Sequence, residues 1–239
     1  MLIKSIKIHV AKCYMFLMMK LKSYFKATIH ESLLTGILLA IVGGFLDIYT
    51  YILKGNVFAN AQTGNIVLMG LKIAQSDFMG ALYYLLPITA FFLGIVISEY
   101  IRHKFTNLQY LEWQHLILII EIIILTIIAF EPKQLPHLIC NVTIGLVCSL
   151  QVNAFKTTRG LPYASTMCTG NLKSAGQKLS AYLFLHDKDA LKHCFRYLII
   201  IFFFILGAII ATILINFFGQ ISLLFCCLLL LITLLILMY

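Results

Sequence analysis

A ten-residue segment occurs twice in the chain, and its residues are of kinds that can bind a polar solute. The first copy begins with Thr-Gly-Asn at 63–65 and the second with Thr-Gly-Asn at 169–171, 106 residues later. Five of the ten aligned positions are identical. Threonine is a good helix N-cap, and glycine lets a ligand approach the backbone. Each copy therefore predicts the start of a short helix, whose free N–H groups suit an anion or a carbonyl-bearing solute.

A carboxylate lies within the first apolar run of the chain. Asp47 follows Gly43 and Gly44, which would let a neighbouring helix pack closely. Ionisable residues at membrane depth are expensive and are by default functional candidates. Asp47 could carry a coupling proton or hold a polar substrate. The alternative is a structural hydrogen bond to the segment before the first motif, at Asn60 or Gln62.

The same offset of 106 residues pairs Asp47 with Asn153, so the second half keeps polarity and loses charge. A second carboxylate, Glu121, lies among isoleucines and leucines, where a proton relay and a carboxyl bonded to a neighbouring helix explain it equally well. Asp47 and Glu121 are the predicted proton-coupling residues. The predicted substrate-binding residues are Asp47, Asn60, Gln62, Thr63, Gly64, Asn65, Gln151, Asn153, Thr169, Gly170 and Asn171.

The composition requires lipid rather than water as the main solvent of these residues. Of the 239 residues, 62% are hydrophobic and 11% are charged, against about 25% charged in soluble domains. This excludes a cytosolic enzyme, a secreted disulfide scaffold and a disordered chain. The net charge of +9 comes from lysines beside apolar runs. It therefore indicates a membrane surface rather than nucleic acid as a partner.

The cysteines and histidines form no recognisable site. The seven cysteines include no C-x-x-C pair, and the seven histidines are dispersed. Neither a Ser/His pair nor H-E-x-x-H lies within the apolar runs. We therefore expect no metal site, no cofactor and no enzymatic activity.

Six apolar runs approach the length of about 20 residues that a helix needs to cross a bilayer. Proline residues between the third and fourth runs separate two helices, because proline cannot continue a helix. The third run is short for a span. The predicted spans are Leu33–Leu53, Met79–Ile101, His115–Phe130, Leu138–Phe155, Phe195–Phe218 and Ile221–Tyr239.

The repeat and the distribution of charge predict two inverted halves. Residues 32–131 and 132–239 each contain three spans and one Thr-Gly-Asn segment. If both segments dip into the membrane and return, 15 of the 18 Lys and Arg residues lie on the cytoplasmic side, as the positive-inside rule requires. Three crossings per half give opposite topologies, a frequent plan in secondary transporters. The fold predicted is all-α, with two inverted three-span repeats and both termini cytoplasmic.

Residues 1–31 alternate lysines with apolar side chains and lack a signal-peptide pattern. Two interpretations remain open for this leader. It could form a basic amphipathic helix on the anionic cytoplasmic leaflet, or it could be a solvated tail that only fixes the orientation of the chain.

Several of these segments together resemble a known family. They are Gly-Phe-Leu-Asp at 44–47, Val-Phe-Ala at 57–59 and the two Thr-Gly-Asn motifs. In this order they are similar to the YoaK family of small bacterial membrane proteins, a family of unknown function. The resemblance covers Ser32 to the C-terminus and leaves out the leader. It implies a polytopic helical protein in the bacterial cytoplasmic membrane, and it implies no substrate.

The sequence favours a permease for a small polar or anionic solute, bound between the two Thr-Gly-Asn motifs, with the lipid bilayer as its surroundings. A passive channel is the nearest alternative, because paired half-helices can also line a pore. A membrane scaffold or partner-binding subunit that transports nothing is the other. A homo-oligomer is compatible with all three.

Overall fold

The structure, a computed structural model, describes residues 32–105, 112–132, 135–158, 160–163 and 167–238. The leader 1–31 lies outside the described residues, so its two interpretations stay predictions. The described chain is helical apart from a small antiparallel hairpin of β1 (Thr157–Thr158) and β2 (Leu161–Pro162). The α-helices are α1 Leu33–Leu53, α2 Gln62–Ala74, α3 Phe78–Phe105, α4 Trp113–Ala129, α5 His137–Ala154, α6 Cys168–Leu185, α7 Lys188–Phe218 and α8 Leu224–Met238, and a 3₁₀ turn, Gly219–Leu223, joins the last two.

Four segments are long and apolar enough to cross a membrane. They are α1, α3, α5 and the 51-residue stretch that contains α7 and α8, while the apolar helix α4 is shorter, at 17 residues. The prediction of an all-α, multi-pass membrane protein is therefore confirmed. Helix α1 has the predicted bounds. Helix α7 begins at Lys188 rather than at Phe195, because the Asp187 carboxylate caps a polar first turn by accepting hydrogen bonds from two backbone N–H groups.

The helices pack in pairs that connect the two halves of the chain. Helix α1 packs mainly on α7, and α3 packs mainly on α5. The short helices lie on the outside of these pairs, with α2 against α3 and α6 against α7. Helices α4 and α8 pack on each other and complete the core, where α4 also contacts α5 and α8 also contacts α1. Buried aliphatic and aromatic side chains fill this core, including Phe45, which stacks on Phe225 with ring centroids 5.7 Å apart.

Glycine residues set the distance between the helices of the two main pairs. A Cβ on Gly44 would overlap the carbonyl oxygen of Phe204, and a Cβ on Gly207 would overlap the carbonyl oxygen of Ile41. In the other pair, a Cβ on Gly94 would overlap the hydroxyl of Ser149. Small residues allow such backbone contact between membrane helices. The prediction that glycines beside Asp47 admit a neighbouring helix is thus confirmed for Gly44.

Candidate functional site

Both short helices begin at positions that the repeat relates to each other. Helix α2 begins at Gln62 and α6 at Cys168, which are also 106 residues apart. The N-cap residues are Ala61 and Met167, and neither makes a side-chain cap hydrogen bond. The predicted capping role of the motif threonines is therefore wrong. Each helix starts one residue before its threonine, so the threonine lies within the first turn.

Asn65 fixes the extended segment that leads into α2. Its side-chain amide donates to the carbonyl oxygen of Phe58 at 2.8 Å, and its amide oxygen accepts from the Phe58 backbone N–H at 3.2 Å. It also donates to the side chain of Gln62 at 3.0 Å. These bonds satisfy backbone groups of an irregular segment, which is tolerated at membrane depth only where protein or water satisfies it. The buried motif asparagine is thus a structural residue.

Asp47 holds the same segment from the side of α1. Its carboxylate accepts a hydrogen bond from the backbone N–H of Asn60 at 2.6 Å, and the Asn60 side chain donates to the Gly43 carbonyl at 3.1 Å. Asp47 and Asn60 are both buried. The structural hydrogen bond that was the alternative interpretation of Asp47 is therefore present. It places a hydrogen-bond acceptor beside the start of α2.

A cavity of about 620 Å³ lies between the starts of the two short helices. Seven of the predicted substrate-binding residues line it, three from the side of α6 and four from α1, α2 and the segment before α2. The full lining is Asp47, Asn60, Ala61, Gln62, Thr63, Pro162, Tyr163, Met167, Cys168, Thr169, Gly170, Asn171, Ser174 and Phe204. A pocket of this size can hold a small organic molecule.

The β-hairpin positions the side of the cavity that belongs to α6. The backbone N–H of Tyr163 donates to the carbonyl of Lys156 at 2.9 Å, and the Tyr197 hydroxyl donates to the carbonyl of Pro162 at 3.0 Å. Burial raises the pKa of the Tyr163 phenol, which stays protonated. Sequence reasoning missed this hairpin, because its strands have only two residues each.

The sequence pattern could have predicted two of the other residues that line the cavity, Ser174 and Phe204. Ser174 lies one turn after Gly170 on α6, so helical periodicity alone places the two on one face. Phe204 belongs to an apolar segment that echoes Phe91 in the first half, at an offset of 113 residues. Cys168, which also lines the cavity, is a half-buried free thiol.

Four of the predicted substrate-binding residues lie outside the cavity lining. Gly64 packs against the ring of Phe58, and Asn65 has the structural role described above. The buried Gln151 side chain donates to the carbonyl of Leu39 at 3.2 Å. Asn153 lies one residue before the end of α5 and donates to the carboxylate of Glu99 at 2.9 Å. The structure therefore does not bring Gln151 and Asn153 to the cavity, and the pairing of Asn153 with Asp47 is one of sequence position only.

Glu121 is fully buried in the core. Among the residues that the structure describes, neither of its carboxylate oxygens has a hydrogen-bonding partner. The lining of the cavity does not include it. The structure therefore does not connect Glu121 to Asp47 by a chain of hydrogen bonds.

The described residues contain no group of three or more His, Cys, Asp or Glu side chains placed to hold a metal ion. Six cysteines in the described part of the chain are free thiols, and five of them are buried.

One carboxyl group and the N-termini of two helices supply the electrostatic character of the cavity. The N-terminus of α2 already has Asp47 beside it. Among the residues that line the cavity, no acidic residue lies beside the N-terminus of α6, so this helix end keeps its partial positive charge.

Comparison with known proteins gives the family of the chain. Residues 35–236 match the family described as "Protein of unknown function (DUF1275)". The chain is also 29% identical over 150 residues to UPF0700 transmembrane protein YoaK of Bacillus subtilis (strain 168). The aligned region covers 62% of this chain and 67% of YoaK. No solved structure matches the chain. The resemblance to the YoaK family is confirmed, and the chain is a multi-pass membrane protein that belongs to the DUF1275 family.

Proposed function

We propose that this protein is a permease of the bacterial cytoplasmic membrane that binds a small polar or anionic solute between the starts of α2 and α6. In this proposal the chain crosses the membrane six times, with both termini in the cytoplasm. Helices α2 and α6 enter from opposite faces and return to the face from which they came. The observation that carries the proposal is the cavity lined by the first turns of both helices.

The packing of the helices supports two related halves. Exchanging the halves replaces α1, α2, α3 and α4 by α5, α6, α7 and α8. Under this exchange the contact of α1 with α7 becomes the contact of α5 with α3, and the contact of α2 with α3 becomes that of α6 with α7. All four contacts are present. Gly94 and Gly207, which the offset of 113 relates, each lie at the close crossing of their own pair.

Helix length supports the re-entrant path of α2, and the distribution of charge supports that of both α2 and α6. Helix α2 has 13 residues, which makes it about 20 Å long, whereas the hydrocarbon core is about 30 Å thick. A returning path for α2 and α6 leaves 15 of 18 Lys and Arg residues on one side of the membrane. The positive-inside rule makes that side the cytoplasm. In this orientation α1, α4 and α7 all end at the outer face.

The geometry of the cavity suggests what the solute looks like. Because Asp47 already lies at the start of α2, the start of α6 is the free positive end. An anionic or carbonyl group of the solute fits there, against the first-turn N–H groups that no helix can satisfy internally. Asp47, on the other side of the cavity, can accept a hydrogen bond from a donor group of the same solute. Proton coupling through Asp47 or Glu121 is a further part of the proposal.

A substitution at Gly170 tests whether the cavity binds a solute. A Cβ on Gly170 meets open space, and so does one on Gly176, six residues closer to the start of α7. Only Gly170 lines the cavity. Purified protein is screened by thermal shift against small carboxylates, amino acids and phosphorylated solutes. A ligand present at about 100 times its dissociation constant stabilises a protein by about 2.7 kcal/mol. We expect the shift to disappear in Gly170→Leu and to persist in Gly176→Leu.

The two leucine variants also separate a permease from a scaffold. Both should unfold at about the temperature of the native protein, since the added Cβ meets no atom within 4 Å at either position. A ligand that stabilises Gly170→Leu as strongly as Gly176→Leu binds elsewhere and overturns the site. A complete absence of hits, together with co-purification of a partner protein, favours the scaffold. Proton dependence of uptake into vesicles then separates a coupled carrier from a channel.

Cysteine labelling tests the re-entrant topology. Asn56 and Ser76 flank α2, and Lys156 and His186 flank α6. Single cysteines are placed at these four positions in a Cys13→Ser/Cys168→Ser background, which removes the half-buried Cys168 thiol and the Cys13 thiol, which lies outside the described residues. An impermeant maleimide added to intact cells should label both positions around α2. It should label the two around α6 only after the membrane is opened. If labelling differs between the two positions that flank one helix, that helix crosses the membrane.

A further inference from the structure

A second cavity of about 620 Å³ lies at the opposite end of α1 from its first residue. Three helices end at it, since Leu53, Ala129 and Phe218 are the last residues of α1, α4 and α7 and all line it. Helix C-termini carry partial negative charge and favour cations. The cavity shares no lining residue with the one between α2 and α6. The second cavity is therefore a separate site from the proposed permease site.

The charged residues of this second cavity form a buried ion pair. The Lys54 ammonium pairs with the Glu131 carboxylate, and their side chains are only 7% and 6% exposed. Burying two charges is expensive, and a buried pair often contributes less stability than apolar residues of similar volume. A stability role is thus a weak reason for placing this pair in the wall of an open cavity.

The backbone around the pair is held in place by neighbouring helices. The carbonyl oxygen of Lys54 accepts from the Tyr83 hydroxyl at 2.9 Å and from the Asn141 side chain at 2.7 Å. The Gln220 side chain donates to the carbonyl of Glu131 at 2.7 Å. These contacts fix the positions of both backbones, and none of them uses the Lys54 ammonium or the Glu131 carboxylate.

The charges around the cavity indicate that its ligand is a cation. The Lys54 and Glu131 charges cancel. The C-termini of α1, α4 and α7 outnumber the one α-helix N-terminus in the lining, that of α5 at His137, so the helix ends add net partial negative charge. We propose that this cavity binds a small organic ammonium ion, which competes with the Lys54 ammonium for the Glu131 carboxylate. Lys54 itself shows that an alkylammonium group fits against Glu131. The volume is that of a site for an organic molecule, and a bare metal ion would need several oxygen ligands rather than one carboxylate.

The test measures binding of methylammonium to the purified full-length protein. Unfolding temperature is recorded against methylammonium chloride, with sodium chloride at equal ionic strength as the reference. We expect methylammonium to stabilise the native protein more than sodium does. In Lys54→Met, which removes the competing ammonium and keeps an unbranched side chain of similar length, the dissociation constant should fall about ten-fold. In Glu131→Gln the difference between the two salts should disappear.

A matched control removes a carboxylate from another ion pair. Lys72 pairs with Asp77 at 2.9 Å, and both side chains are substantially exposed. Asp77→Asn should leave the response to methylammonium unchanged. If Lys54→Met or Glu131→Gln fails to fold, the double variant Lys54→Met/Glu131→Gln, which leaves no unpaired charge, replaces it and should not respond. The proposal is overturned if the native protein responds equally to both salts, or if a variant lacking the Glu131 carboxylate keeps the response.

Discussion

Replacing Gly207 with alanine should strongly destabilise the protein. The added methyl group would overlap the carbonyl oxygen of Ile41, and Gly44→Ala would overlap that of Phe204 from the other helix of the pair. In both cases the obstructing atom belongs to a helix backbone and cannot move aside as a side chain can. Helices α1 and α7 would have to separate along their main contact. Overpacking of this kind typically costs about 1–3 kcal/mol, and we expect values at the upper end.

Unfolding of the purified variants in detergent, followed by temperature or denaturant, measures this effect. Gly176→Ala on α6 is the matched control, because its methyl group would meet nothing within 4 Å. Alanine is about 1 kcal/mol better than glycine in a helix interior, so the control should be neutral or slightly stabilised. Equal stability of Gly207→Ala and Gly176→Ala would mean that α1 and α7 do not pack as described.

The second large effect is expected at Asp47. In Asp47→Ala the buried backbone N–H of Asn60 loses its acceptor. A buried donor left without a partner costs about 1–3 kcal/mol. The segment that leads into α2 should then loosen, because the hydrogen bond that Asp47 accepts from the Asn60 N–H is one of the two that tie Asn60 to α1. We expect a lower unfolding temperature and faster proteolysis or hydrogen exchange in the segment before Gln62.

Asp47→Asn separates the structural role of this residue from its charge. The asparagine side chain still has an oxygen that can accept from Asn60, so most of the stability should return. Ligand binding or proton-dependent uptake that is lost in Asp47→Asn while the fold is kept would assign the charge to function. An Asp47→Ala protein as stable as the native one would contradict the structural role.

The repeat allowed the main features of the candidate site to be predicted from the sequence. Because Thr-Gly-Asn recurs at a fixed offset, the starts of α2 and α6 could be placed to within one residue. The capping role given to Thr63 and Thr169 failed for a local reason. Cap position depends on backbone angles, so residue preference at a single position does not fix the first helical residue.

Outside the Thr-Gly-Asn segments, the offset of 106 residues did not predict which side chains occupy equivalent places in the two halves. Asn153 matches Asp47 in sequence position, yet it pairs with Glu99, because α5 ends at Ala154 whereas α1 continues six residues beyond Asp47. A repeat conserves the order of helices better than their lengths. Side-chain pairing near a helix end therefore depends on where that helix stops, which the residue pattern predicts least well.

The sequence by itself determined that this is a multi-pass helical membrane protein, because apolar composition and run length leave lipid as the only adequate solvent. It also determined that two related segments each begin a helix. Only the tertiary structure decided that both helix starts line one cavity, and that Lys54 pairs with Glu131, 77 residues further along the chain. The reason is physical: composition and periodicity act within a segment, whereas the rotation and spacing of packed helices decide which distant side chains meet.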